Sequence, residues 1–255
     1  MTKYEPGTPS WVDLGSRDLA ESTAFYGALF GWEAQTAPQP EAGGYTMFAS
    51  GGKHVAAVAP LQEGQPEQWM SYISVADAKA TAAKVTAAGG TVLVAPMDVL
   101  DAGRMAVLLD DGGAAFSIWE PNAHIGAQLV NEPVSLSWNE LATTNMDKSK
   151  AFYAKVFGWE AETTETPGMA YTEFKLNGSS IGGGMPIGPQ APEGVPPHWL
   201  VYFAVADTDA TVGKASELGG SVMAPPMSIP AGRFAVLADP HGAMFAVIQL
   251  PETTA

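Results

Sequence analysis

The sequence predicts an α+β protein of two tandem modules, each built from two strand–helix–three-strand units. The first observation behind this is that the chain is written twice. Trp11-Val12-Asp13-Leu14, Phe25-Tyr26 and Phe30-Gly31-Trp32-Glu33 recur 127 positions later as Trp138-Asn139-Glu140-Leu141, Phe152-Tyr153 and Phe157-Gly158-Trp159-Glu160. The later part of each copy matches as well: Trp69-Met70-Ser71-Tyr72 answers to Trp199-Leu200-Val201-Tyr202, and Ala102-Gly103-Arg104 to Ala231-Gly232-Arg233. A period this long is a duplicated compact module rather than a solenoid array. It sets the modules at 1–127 and 128–255. The second observation is that the order of elements within each copy itself repeats.

The elements follow in order from capping, turn and periodicity signals. Trp11–Leu14 is a short strand. Asp18-Leu19-Ala20-Glu21 is a capping box, and its helix carries Leu19, Ser22, Tyr26 and Leu29 on one stripe before closing near Gly31. Three strands follow at Trp32–Gln35, Tyr45–Ala49 and His54–Ala59, separated by Pro38, Pro40 and paired glycines. The next unit repeats the plan. A strand runs from Trp69 to Val75, an Asp77-capped helix is closed by Gly89-Gly90, and strands follow at Thr91–Ala95, Arg104–Leu109 and Ala114–Trp119. In the second module the helices begin near Asn145 and Asp207, and the last hairpin turns at Asp239-Pro240-His241-Gly242 with a type I signature. The Pro/Gly-rich segments Pro60–Pro66 and Pro186–Pro197 connect the two units of each module, as lids that order on ligand binding or as plain connectors.

Composition narrows the partners. The chain has 255 residues, 46% of them apolar and 9% aromatic, enough for one large core or two ordinary ones. A net charge of −15 and a pI near 4.5 oppose nucleic acid and anionic lipid, and no Lys/Arg cluster overrides that average. The apolar runs are too short to span a bilayer, and Met1–Ser10 lacks the regions of a signal peptide, so a cytoplasmic location is expected. With no cysteine, disulfides, thiolate nucleophiles and sulfur-ligated zinc are excluded.

Four units in this order resemble the vicinal oxygen chelate superfamily, also called the glyoxalase, bleomycin-resistance and extradiol dioxygenase superfamily. The carriers are the Phe-Tyr…Phe-Gly-Trp helix exits at 25–32 and 152–159, the helix-closing Gly-Gly pairs, and Asp-Pro-His-Gly-Ala-Met-Phe at 239–245. Within it the chain is similar to tandem actinobacterial members labelled glyoxalase-like or "hydroxylase"; its Ala/Gly/Pro-rich composition agrees. The resemblance implies that two units pair so that a mixed sheet curls into a cup whose inward side chains bind substrate. In metal-dependent members a His opens the first strand, a His or Gln opens the strand of the second unit, and a Glu or His sits on the last strand. Carried over, these positions fall on Trp11 and Trp138, on Trp69-Met70 and Trp199-Leu200 with one residue of register uncertainty, and on Ser117 and Ala246. None is a ligand, though a shifted register brings in His198. The expectation is a cup without a built-in metal and no cofactor.

Alternation places Trp11 with Asp13, and Trp138 with Glu140, on the cup face. Ala115, Ser117 and Trp119 share that face, with Met244, Ala246 and Ile248 as counterparts. The ligand-binding candidates are therefore Trp11, Trp69, Met70, Tyr72, Ser117 and Trp119 in one module. In the other they are Trp138, His198, Trp199, Tyr202, Ala246 and Ile248. Asp13 and Glu140 are candidate catalytic carboxylates, since burial beside an indole raises a carboxyl pKa; the alternative is a solvated strand-end acid. A repeated strand-start Trp can equally be core filler, and the family's placement of that position in the cup is what favours a ligand platform. Arg104 and Arg233 are read as structural, pairing with nearby acids such as Asp101. His54 is read as a local feature, because its counterpart is Ser180; His241 and His124 are read as exposed, His124 with reach to the opposite module. Gly182-Gly183-Gly184 is read as a bulge or close strand approach, not a phosphate loop.

The expected function is metal-independent binding of a small, largely aromatic metabolite, by a monomer with pseudo-dimeric modules or a homodimer. Two alternatives remain: an enzyme of glyoxalase-type lyase or oxygenase/hydroxylase kind, and a protein-interaction module, which an exposed apolar patch would support.

Overall fold

The computed structural model describes residues 3–61, 64–166, 169–188 and 194–251. In the first module β1 (Pro9–Ser16), α1 (Leu19–Phe30), β2 (Glu33–Thr36), β3 (Thr46–Ser50) and β4 (Lys53–Pro60) form one unit. The second unit is β5 (Gln68–Ser74), α2 (Ala78–Ala87), β6 (Thr91–Val99), β7 (Gly103–Leu109) and β8 (Ala115–Pro121). The second module repeats this with β9 (Ser135–Thr143), α3 (Met146–Phe157), β10 (Glu160–Thr166), β11 (Met169–Leu176) and β12 (Ser179–Pro186). It closes with β13 (His198–Ala204), α4 (Thr208–Glu217), β14 (Ser221–Ile229), β15 (Gly232–Ala238) and β16 (Met244–Gln249).

The helices begin where the caps predict. Asp18, Asp77, Asn145 and Asp207 each accept a backbone N–H three residues on, satisfying one of the donors a helix start leaves open. Gly31 and Gly158 then end α1 and α3 in the left-handed region, at φ 73° and 76°.

Each module forms one eight-stranded mixed sheet, in the orders β2-β3-β4-β1-β5-β8-β7-β6 and β10-β11-β12-β9-β13-β16-β15-β14. The two units of a module therefore pair within it, through antiparallel β1 against β5 and β9 against β13. One face of each sheet makes a cup; the other carries the helices, and the two modules pack helix side to helix side. As a result the large cores are shared between modules. One joins Phe25, Tyr26 and Phe30 of α1 to Phe203, Val247 and Phe245 of the second module. The other joins Phe116 and Val85 of the first module to Phe152, Tyr153 and Trp159 of the second.

Two buried clasps cross between the modules. The Trp69 indole N–H donates to the Tyr26 hydroxyl at 3.0 Å, and that hydroxyl donates to Asp239 of the other module at 3.0 Å. Trp199 repeats this to Tyr153 at 2.9 Å, and Tyr153 donates to Asp110 at 3.0 Å. Burial holds both carboxyl pKa values above the usual range. Each carboxylate also accepts two backbone N–H groups of its own hairpin turn, which is why Asp opens both turns.

Several sequence expectations change. β6 runs on to Val99 instead of stopping at Ala95, because it is a sheet edge where Pro96 needs no ladder partner and a bulge absorbs it. Arg104 pairs with Asp98 at 2.7 Å and Glu120 at 3.7 Å rather than Asp101, and Arg233 pairs with Asp209. His241 is not a free loop residue: its Nε2 stands 2.9 Å from Glu21 of the other module. Residues 62–63 and 189–193 of the expected lids lie outside the described residues.

Candidate functional site

The register of β1, β4, β5 and β8 builds the first cup. Asp13 lies opposite Ala57 on one side and Met70 on the other, while Trp11 lies opposite Tyr72, which lies opposite Ser117. Residues directly opposite share a sheet face, so Trp11, Asp13, Met70, Tyr72, Ser117 and Trp119 line the cup. Trp11, Tyr72 and Trp119 form its apolar cluster, with Tyr45, Met47 and Met105 packed on it. The second cup is lined equivalently by Trp138, Glu140, Leu200, Tyr202, Ala246 and Ile248, with Phe234 and Met244. By the same alternation His198 points to this face, and it acts electrostatically on Glu140.

Trp69 and Trp199 are not in the cups. One residue of register puts them on the helix face, in the two shared cores, where their indoles serve the Tyr26 and Tyr153 clasps. Met70 and Leu200 hold the cup positions instead.

At the floor of each cup a carboxylate is gripped by tyrosines. In the first, the Trp11 indole N–H donates to the Tyr45 hydroxyl at 3.0 Å, and Tyr45 donates to Asp13 Oδ2 at 3.2 Å. The Tyr72 hydroxyl donates to the same oxygen at 2.9 Å. In the second cup, Trp138 donates to Tyr171 at 2.9 Å and Tyr202 donates to Glu140 Oε1 at 2.9 Å; the Tyr171 hydroxyl stands beside the same carboxylate. Burial pushes Asp13 up to about 6, with the Tyr72 and Tyr45 hydrogen bonds pulling partly back. Burial likewise raises Glu140, opposed by Tyr202, Tyr171 and His198. Tyr45, Tyr72, Tyr171 and Tyr202 are all held above the usual phenol range by burial and by the adjacent carboxylate, so they stay protonated donors.

Tyr45 and Tyr171 were missed in the sequence. The available signal was their equivalent placement, each directly before a Thr (Thr46, Thr172) of the third strand of its unit. A second signal was the triple glycine: a Cβ at Gly183 would come 2.0 Å from the Tyr171 hydroxyl and 2.9 Å from the Trp138 indole nitrogen. The close approach read at Gly182-Gly183-Gly184 is therefore the seat of a site tyrosine.

A divalent metal needs three or four converging N/O ligands. The strand positions at which metal-dependent relatives place theirs hold Trp11, Met70 and Ser117 here, and Trp138, Leu200 and Ala246 in the other cup. That donor set does not fit an ion, and among the described residues no group of three His, Asp or Glu could hold one.

The family model described as Glyoxalase/Bleomycin resistance protein/Dioxygenase superfamily matches residues 8–118 and again 135–247. The chain belongs to this superfamily. The mycobacterial protein CFP32 of Mycobacterium bovis, whose name refers to a glyoxylase, is 46% identical over 97% of both chains. The anthracycline biosynthesis protein DauV of Streptomyces sp. strain C5 is 42% identical over 99% of this chain and 96% of its own. Among solved structures the superfamily fold recurs in a Mn(II)-bound glyoxalase from Novosphingobium aromaticivorans, with TM-score 0.67 and 18% identity over 96% of this chain and 82% of that one. It recurs too in 2,2',3-trihydroxybiphenyl 1,2-dioxygenase from Sphingomonas wittichii RW1, with TM-score 0.66 and 12% identity over 98% of this chain and 93% of that one. At these identities the structural likenesses speak for the fold alone.

Proposed function

We propose that this superfamily member binds a planar, fused-ring aromatic metabolite carrying a hydroxyl or amine donor, without a metal. The observation that carries the reading is the carboxylate fixed by tyrosine hydroxyls at the floor of an indole-walled cup. A carboxylate offers about four acceptor sites, and two tyrosines do not exhaust them. The remaining capacity suits a donor on the guest, while the indole and the apolar strand residues suit its flat face. An anionic guest is opposed by that carboxylate and by the net charge of −15. The relative named for anthracycline biosynthesis supports a fused-ring aromatic, and a donor set that does not fit an ion supports metal independence. Each cup carries such a set: Trp11, Tyr45, Asp13 and Tyr72 in the first, and Trp138, Tyr171, Glu140 and Tyr202 in the second.

The test is titration with 2,6-dihydroxyanthraquinone, followed by tryptophan fluorescence, before and after dialysis against a chelator. Saturable binding unchanged by the chelator is expected. The double substitution Trp11→Leu with Trp138→Leu strips the indole wall from both cups and is expected to weaken binding at least about tenfold, or ~1.4 kcal/mol. No saturable binding, or an affinity untouched by the double substitution, defeats the reading. Proton transfer is a second reading, favoured by one observation: a carboxyl held near 6, as Asp13 is, titrates where a general base works at neutral pH.

A further inference from the structure

The cups share a floor but not a mouth. The connection after β8 turns back over the first cup. The Asn122 and His124 backbone N–H groups both donate to the Ala102 carbonyl at 3.0 Å. Ala127 N–H donates to the Ser10 carbonyl at 2.8 Å, and the Tyr4 hydroxyl donates to the Ala127 carbonyl at 2.7 Å. The Trp119 indole, reaching up from the cup, donates to the His124 carbonyl at 2.7 Å. The His124 ring packs against Trp11 in a T-shaped contact, centroids 4.6 Å apart, so it occupies space beside the indole that a guest would need. Ala127 and Val130 of this connection belong to the first cup's apolar cluster, whereas the second cup's cluster consists of strand residues alone.

Burial follows the same division. Trp11 is 3% exposed and Asp13 7%, while their counterparts Trp138 and Glu140 are only half-buried. Ser10 is fully buried and its counterpart Ser137 is not. The anchoring donor is also specific to one module: the position of Trp119 is Ile248 in the other, whose side chain has no N–H to offer. Gly103 makes the room, since a Cβ there would come 2.6 Å from the Trp119 ring.

We propose that Asn122–Ala127 is a built-in plug of the first cup, and that the aromatic guest binds in the second cup, one per chain, on Trp138 and Glu140. This rests on the proposed function and assigns its site. The plug is held by backbone hydrogen bonds that a guest could not reproduce, and displacing it would uncover Trp11. The second cup needs no such opening. Glu140, the counterpart of Asp13, is held at the floor by Tyr202 and Tyr171, and His198 acts on it electrostatically.

The test uses the intact chain and 2,6-dihydroxyanthraquinone in two measurements. Calorimetric titration is expected to give one site per chain, and Glu140→Ala or Gly183→Val, the latter displacing Tyr171, is expected to weaken that site at least tenfold. In ¹⁵N-labelled protein, the seven indole N–H signals report location: the Trp138 signal is expected to shift on binding while those of Trp11 and Trp119 stay. His124→Ala, which removes the ring from Trp11, is expected to add a second, weaker site. Two equivalent sites in the unmodified chain, or shifts at Trp11 and Trp119 with Trp138 unmoved, overturn the plug. No binding to any of these chains instead overturns the functional reading beneath it.

Discussion

Asp13 makes the site's electrostatics measurable. Its pKa stands at about 6 against an ordinary 3.8, so between these values the folded protein keeps a proton that the unfolded chain has lost. That stabilisation is complete below about 3.8 and fades as pH rises through 6. Asp13→Asn has no such titration. Between pH 5 and 7 the unmodified protein is expected to lose on the order of 1 kcal/mol relative to Asp13→Asn, read from urea midpoints. A constant gap across that range would mean that Asp13 titrates normally. His124 pulls the opposite way: burial, with His54 beside it, holds it down to about 4, so it costs stability as pH falls below 6.5. Both proteins carry it, so it drops out of the comparison.

The outer strands show how the sheets end. Residues Val222, Met223, Met227 and Ile229 of β14 are exposed, as are Leu93 and Met97 of β6, and such apolar edges invite pairing with another chain. Pro96 and the Pro225-Pro226 pair, each sitting in a bulge, remove donors from those edges. Pro225→Val with Pro226→Thr is expected to raise self-association at tens of micromolar, seen by light scattering; an unchanged particle size would assign the prolines another role. These strands also mark where the sequence stops being legible. All four helices could be read because each carries its own cap, and a cap acts within one turn. Faces were harder. Trp11 and Trp138 alternate with strand residues that face the helices, and the sheet face read for them is the one they take. Trp69 and Trp199 read to the wrong side because a one-residue slip exchanges the faces of a strand. Tyr45 and Tyr171 stayed hidden because a tyrosine in or beside a strand looks like core until the carboxylate across the sheet is known.

At the scale of the molecule, neither module owns its core. Phe25 of the first module packs beside Gly220 of the second, and Phe152 of the second beside Gly90 of the first, closely enough that a Cβ on either glycine would lie 3.2 or 3.0 Å from the ring. A separate fold for each module would leave both faces in water, so thermal unfolding is expected to be a single calorimetric transition. Two resolved transitions would show that the modules stand alone. The repeat could be read from the sequence, but this sharing could not, since nothing in a repeat says which faces meet.

The crossed tyrosine–aspartate clasps carry a consequence for how such a chain arose. A single half supplies the phenol of one clasp and the acid of the other, so by itself it completes neither. Two identical halves facing each other complete both, which makes a symmetric pair of short chains the natural forerunner of the fused one. Once joined end to end, the halves no longer had to stay alike, and the segment that ties them together was free to settle into one hollow and leave the other for a visitor.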